Sequence, residues 1–446
     1  MTNGLLIFLM GFLFLFLGYL GVPVAFALIA GVMVAAAFTP VSLPSIMGQL
    51  FNGIDVEALL AVPFFLMVGE LMTAANVTGR MIALSQAMIG HLRGGLAQVV
   101  TLFSMFFAGI SGSSAADVAV LSRTLGPEMK REGYGAGFIA ALIASASTMA
   151  NLIPPSIMAI VYGATGNVSI GGLFLAGVVP GVLVGVGLMV YSYFFGPVGM
   201  QHRRATFPEF TAAAKGASLP LVIPVIIMGG ILSGFFTPTE AGVVAVLYIV
   251  AVVIPALNRG YFRRLPSDLA HTGLLYSIPL ITIAASSAFG WMLAYLRGPA
   301  VVSSWMAGVA GNDPQLIMLL LVALFIIVGD FIDAIPAIII FMPIISDLAQ
   351  NAGIKPVHMG VVIIVTLAFG LITPPYGLAL LMAAKFTGVR FGRAMLDSLP
   401  IYVVFLATIL FCIYFPEVVL WLPRHFLPQS VGCFPNPSGA GYICPP

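Results

Sequence analysis

The chain has 446 residues, 61% of them hydrophobic and 7% charged, with a net charge of +2 and a mean hydropathy of +1.13. A soluble globule carries about 25% charged residues, so this is an integral membrane protein, and the low net charge without any long basic run excludes nucleic acid as a partner. The 31 prolines and 49 glycines suit polytopic helices better than a barrel of short alternating strands.

The first apolar stretch, Leu5 to Phe38, is too long for the apolar region of a cleavable signal and has no basic segment before it. It predicts a retained helix or helix pair, broken at Gly21 and Pro23. Candidate spans follow at 58–76, 136–163, 171–196, 219–236, 239–257, 271–296, 356–384 and 397–421. Segments 96–125 and 315–346 are long enough for two half-crossings each and carry polar residues near their middles, so they read as re-entrant hairpins buried in protein. Cys412 lies in an apolar run and reads as a packing residue. The end of the chain, GCFPNPSGAGYICPP, is rich in Pro and Gly; the tail 428–446 is expected to be disordered, with no chemistry assigned to Cys433 or Cys444.

Positive charge orients these spans, because Lys and Arg in short loops mark the cytoplasmic side. Arg80 with Arg93, Lys130 with Arg131, Arg203 with Arg204 and Lys215, Arg259 with Arg263 and Arg264, and Lys385 with Arg390 and Arg393 all fall on one side. The loops near 39–57, 297–314 and 347–355 fall on the other and are poor in basic residues. Five passes separate the hairpins. The first therefore enters from the cytoplasm and the second from outside, which makes the two halves inverted copies.

The halves are also related by sequence. Gly109, Gly133, Pro154, Pro155 and Pro180 recur 220 positions later as Gly329, Gly353, Pro374, Pro375 and Pro400. Each copy holds a polar cluster (GISGSSAAD at 109–117, GDFIDA at 329–334) followed by a Pro-Pro in an apolar run (NLIPPS at 151–156, LITPPYG at 371–377). Paired broken helices in corresponding positions point to a substrate and ion pathway. The organisation expected is N-terminal scaffold helices at 1–57, a first repeat at 58–215, scaffold helices and connector at 216–270, a second repeat at 271–427 and the tail.

At the first tip Ser111, Ser113 and Ser114 offer hard oxygen donors for a small cation, and glycine lets the backbone turn inward; the competing reading is helix packing through small residues. At the second tip lie Asp330 and Asp333. A carboxylate at membrane depth costs roughly 2.5 to 3.5 kcal/mol on insertion scales, which makes it a functional candidate, the alternative being that Asp330 faces water at the outer mouth. Asp333 falls on Ser113 in the duplication. Each Pro-Pro removes two amide donors and frees carbonyls upstream, around Asn151, Leu152, Leu371 and Ile372, to hold a cation; the half-helix beyond presents its amino end to an anionic group. A plain kink is the other reading of a single Pro-Pro.

Other polar residues say less. Glu70 reads as paired within the bundle or near its cytoplasmic end, Arg123, Arg297 and Lys385 as interfacial, and Glu240 as a helix N-terminal acid after a Thr-Pro start. His91, His202, His271, His358 and His425 lack metal-ligand spacing, and no nucleotide-binding, nucleophile-elbow or zinc signature is present. The chain is therefore not expected to be an enzyme.

VPFFLMVGELM (62–72), SGSS, LIPPS, the GFFTPTEA stretch ending at 241, GDFID (329–333) and LITPPYG together resemble the large membrane subunit of tripartite ATP-independent periplasmic transporters, the DctM-like permeases of the ion transporter superfamily. The resemblance spans nearly the whole chain. It implies an all-α, multi-pass protein of the bacterial inner membrane that imports organic acid anions such as dicarboxylates with sodium, by an elevator movement of a transport domain against a scaffold. It also implies a periplasmic substrate-binding protein and a small membrane subunit, expected here as a separate chain. No cofactor is implied beyond Na+ as the coupling ion. Sodium is expected at Gly109, Ser111, Ser113, Ser114 and Asn151, and at Gly329, Asp333 and Thr373; substrate is expected at Ser113, Ser114, Pro154, Pro155, Asp333, Pro374 and Pro375. The alternatives are a stand-alone sodium/anion symporter of the same superfamily and, against the paired hairpins, a channel.

Overall fold

A computed structural model describes residues 2–75, 77–197, 203–311, 313–435 and 442–444; His202 and part of the tail thus lie outside the described residues. The N-terminal stretch is a helix pair, α1 (Asn3–Tyr19) and α2 (Val24–Ala37), packed on each other with Gly21 and Pro23 in the turn between. Then come α3 (Leu43–Asn52), α4 (Ala61–Ala74) and α5 (Val77–Ile89). The first hairpin is α6 (Gly95–Ser111) and α7 (Ser114–Arg131), and the first broken helix is α8 (Ala136–Ser147) and α9 (Ile157–Gly166).

The middle of the chain supplies α10 (Ile170–Phe195), α11 (Phe207–Leu232), α12 (Pro238–Tyr248), α13 (Ile254–Leu257), α14 (Leu265–Tyr295) and α15 (Gly298–Ala310). As expected of a Thr-Pro start, Thr237 and Glu240 close a capping box on α12: the Glu240 amide donates to the Thr237 hydroxyl at 3.3 Å and the Thr237 amide to Glu240 Oε2 at 2.8 Å. The second hairpin is α16 (Pro314–Gly329) and α17 (Ala334–Asn351), and the second broken helix is α18 (Pro356–Gly370) and α19 (Leu378–Thr387). The helices α20 (Phe391–Tyr414), α21 (Pro416–Val419) and α22 (Trp421–Phe426) follow.

Among the described residues, seven helical segments are long and apolar enough to cross a membrane, and one of them is the hairpin arm Ala334–Asn351. The hairpins run longer than the sequence suggested, since their arms stay helical out to Arg131 and Asn351. Their packing follows the duplication. The first arm of each hairpin lies on its own broken helix, α6 on α8 and α16 on α18, and the second arm lies on both copies, α7 on α8 and α19 and α17 on α18 and α9. Around this core, α4 packs on α12, α5 on α11, and α14 on α2, α3 and α17.

The tail corrects an expectation. Rather than being disordered, its described part forms a 3-10 turn (Pro428–Val431), a Cys433–Cys444 disulfide and a short antiparallel ladder pairing Phe434 with Ile443 and Pro435 with Tyr442. A Pro/Gly-rich composition signals weak burial, but a cross-link eleven residues apart restrains the chain without needing a core. Leu427 and Ser430 lie against the start of α10, where a Cβ on Gly171 would meet Leu427 at 2.8 Å and one on Gly172 the Ser430 hydroxyl at 2.7 Å. Cys412 is buried and free, as a packing residue should be.

Disulfides form and persist in oxidising compartments, so the tail is expected on the side that the loop charges assign to the outside. Replacing Cys433 with Ser leaves Cys444 as an exposed thiol. A membrane-impermeant maleimide added to intact spheroplasts is expected to label it; labelling only after the membrane is opened would reverse the orientation.

Candidate ion and substrate site

Each hairpin tip meets the break in the broken helix of its own copy. At the first, α6 ends on Gly112 in the left-handed region (φ +59°), and a Cβ there would come within 2.8 Å of the Pro155 carbonyl oxygen. The backbone at Gly109 faces the Pro154 carbonyl in the same way, at 3.5 Å. At the second tip Gly329 and Gly370 touch backbone to backbone, a Cβ on Gly370 reaching 3.0 Å from the Gly329 Cα, and the Tyr376 amide donates to the Asp330 carbonyl at 3.2 Å. Both Pro-Pro bonds, Pro154–Pro155 and Pro374–Pro375, are cis.

The residues that align in the duplication also do the same job. Ser113 caps α7, accepting from the Ala116 amide at 3.5 Å, and Asp333 caps α17, accepting from the Ala334 amide at 2.9 Å through Oδ1. Both are half-buried, as is Ser114. Two pairs of positive helix ends, those of α7 and α9 in one copy and α17 and α19 in the other, thus begin at the breaks and tips. The two sites differ in access. Pro154 and Pro155 are buried, whereas Pro375 and Tyr376 are exposed and Pro374 is half-buried, so the second break is the open one.

Several partners were not legible beforehand. Thr373, expected beside Asp333, donates to Asp330 Oδ1 at 2.7 Å. In the first hairpin Ser111 donates to Asp117 Oδ1 at 2.5 Å, and Asp117 had not been singled out. The freed carbonyls upstream of the prolines are engaged by protein. Ser156 donates to the Asn151 carbonyl at 2.6 Å while capping α9, Tyr402 donates to the Ile372 carbonyl at 2.8 Å, and the Ala379 amide donates to the Leu371 carbonyl at 3.0 Å. Each carbonyl keeps a second lone pair, and the bond it has made fixes its direction. Ser156 and Tyr402 carried no signal in the sequence, because a hydroxyl in an apolar helix is as often satisfied by its own preceding turn.

Such an arrangement, with hydroxyls, carboxylates and oriented carbonyls at one buried turn and one open turn and positive helix ends alongside, suits a small hard cation and an anion. Residues 10–418 match the family model of the tripartite ATP-independent periplasmic transporter, DctM component. The chain belongs to this family. It is 37% identical to the C4-dicarboxylate TRAP transporter large permease protein DctM of Pseudomonas aeruginosa, over 89% of this chain and 93% of that protein. It is 34% identical to the sialic acid TRAP transporter large permease protein SiaM of Vibrio cholerae, over 94% of this chain and 99% of that one. Among solved structures, the YdaH transporter of Alcanivorax borkumensis shares the fold with a TM-score of 0.61 at 15% identity, over 84% of this chain and 88% of that chain. This DctM-family chain is therefore a multi-pass, helical membrane transporter subunit, and its relatives are permeases rather than enzymes.

Proposed function

We propose that this chain is the large subunit of a sodium-coupled, binding-protein-dependent importer of organic acid anions in the bacterial inner membrane, working by an elevator movement. The observation that carries this is the meeting of each hairpin tip with the break in its own copy's broken helix, which sets Ser113 and Asp333 at corresponding helix starts. Sodium sits at the two tips, with Gly109, Ser111, Ser113, Ser114 and Asn151 around the first and Gly329, Asp333 and Thr373 around the second. The anion lies between them, against Ser113, Ser114, Asp333 and the four prolines. Relatives named for C4-dicarboxylate, sialic acid and 2,3-diketo-L-gulonate support the anion class, and a C4-dicarboxylate is the first substrate to try.

Two partners complete the assembly, a small membrane subunit and a periplasmic binding protein. An isethionate TRAP transporter permease protein named DctMQ, 34% identical, is covered by this chain over only 65% of its length, in keeping with a second membrane component alongside the part shared here. Cells that express all three proteins are expected to take up labelled C4-dicarboxylate, and cells without the binding protein are not. Equal uptake in both would favour a stand-alone symporter.

The serine at the first tip gives a graded test. Ser113→Ala removes one oxygen and the α7 cap, a loss of about 1 kcal/mol of helix stability. It is expected to raise the sodium concentration for half-maximal uptake several-fold with little change in assembly. An unchanged sodium titration would remove Ser113 from the site.

A further inference from the structure

We propose that Asp117, which none of the readings above places in the site, is the charged ligand of the first hairpin's cation, through its Oδ2 oxygen. The proposal rests on the sodium-coupled reading and adds to it the one group that makes the first site anionic.

Asp117 is 0% exposed. Its Oδ1 takes the hydrogen of the Ser111 hydroxyl, and its Oδ2 has no hydrogen-bond partner. Ser111 is fixed from the other side by the Ser113 amide, which donates to the same hydroxyl at 3.5 Å. The carboxyl group is therefore held by one oxygen, with the other left without a donor, in the first turn of α7 and directly beside the tip that packs on Pro155. The adjoining 3-10 turn (Thr148–Asn151) packs on both arms of this hairpin.

A buried carboxylate oxygen without a donor costs several kcal/mol unless a cation stands next to it, and hard cations take carboxylate oxygen first. The second hairpin has the same pairing by other residues, since Thr373 donates to Asp330 there. Each tip thus holds one acid oriented by one hydroxyl. The two acids do not fall on each other in the 220-residue register, which is why the duplication does not reveal Asp117.

The test is Asp117→Asn in the complete transporter, large and small subunits with the binding protein, read as a sodium titration of uptake beside the wild type. Asparagine keeps an oxygen for Ser111 and removes the charge. The sodium concentration for half-maximal uptake is expected to rise about tenfold or more, with the rate at saturating sodium within about threefold of wild type, the pattern of lost ion binding rather than lost fold. A sodium-dependent wild type with an unshifted Asp117→Asn titration overturns this inference and leaves the sodium-coupled reading standing. A wild type whose uptake ignores sodium overturns both. Should Asp117→Asn fail to assemble, a cryo-EM map of the wild-type complex in saturating sodium decides the matter. Ion density about 2.4 Å from Asp117 Oδ2, a usual hard-cation distance to oxygen, is expected; a first-hairpin ion that leaves Oδ2 out of its shell, or no ion there, overturns it.

Discussion

Asp333→Asn is expected to abolish sodium-driven uptake, by about 100-fold or more, while expression and pairing with the small subunit stay normal. The size corresponds to about 2.7 kcal/mol of lost ion and transition-state binding. Asp333 caps α17 through Oδ1, and asparagine caps about as well as aspartate, so the substitution removes charge and little else. Asp333→Ala would add the loss of the cap, about 1 kcal/mol, and mix two causes. Uptake in the asparagine variant with wild-type sodium dependence would take Asp333 out of the ion site and leave it as a structural cap alone.

Gly112→Val is expected to be as damaging for a different reason. Gly112 has φ +59°, a conformation that costs an L-residue about 1–2 kcal/mol and a β-branched one more. Its new Cβ would stand 2.8 Å from the Pro155 carbonyl oxygen, so the tip must also lift off the break. Substrate uptake should fall about 100-fold, by the same conversion of about 2.7 kcal/mol. Gly392→Ala is the control, because nothing lies within 4 Å of that position and its φ is ordinary for a helix; it should transport as wild type does. If Gly112→Val transports normally, the tip does not depend on its contact with the Pro-Pro break.

Much of the fold was legible because Gly and Pro act on the backbone directly. Of the recurring positions, Gly133 and Gly353 follow the ends of α7 and α17, Gly329 closes α16, and the two Pro-Pro pairs lie in the breaks α8–α9 and α18–α19, whereas Gly109 lies within α6 and Pro180 and Pro400 lie within α10 and α20. The Gly21 and Pro23 break and the Thr237–Glu240 cap were legible for the same reason. What escaped were partners. The sequence carries no record of whether Thr373 turns toward Asp330 or Asp333, one turn of chain apart, and the structure gives Asp330. Asp117 reads as an ordinary first-turn acid of a helix and becomes notable only through its complete burial. The carbonyls at Asn151 and Ile372 read as free because Ser156 and Tyr402 come to them from a local turn and from a helix 30 residues away. The tail failed because composition is blind to which cysteines pair.

The central claim is that uptake is driven by sodium and fed by a binding protein. The most direct measurement is uptake of labelled organic acids into proteoliposomes that hold this chain with its small subunit, supplied with the binding protein, with and without an inward sodium gradient. Uptake that requires both the gradient and the binding protein is the predicted result. Accumulation that proceeds equally well without sodium would contradict the account.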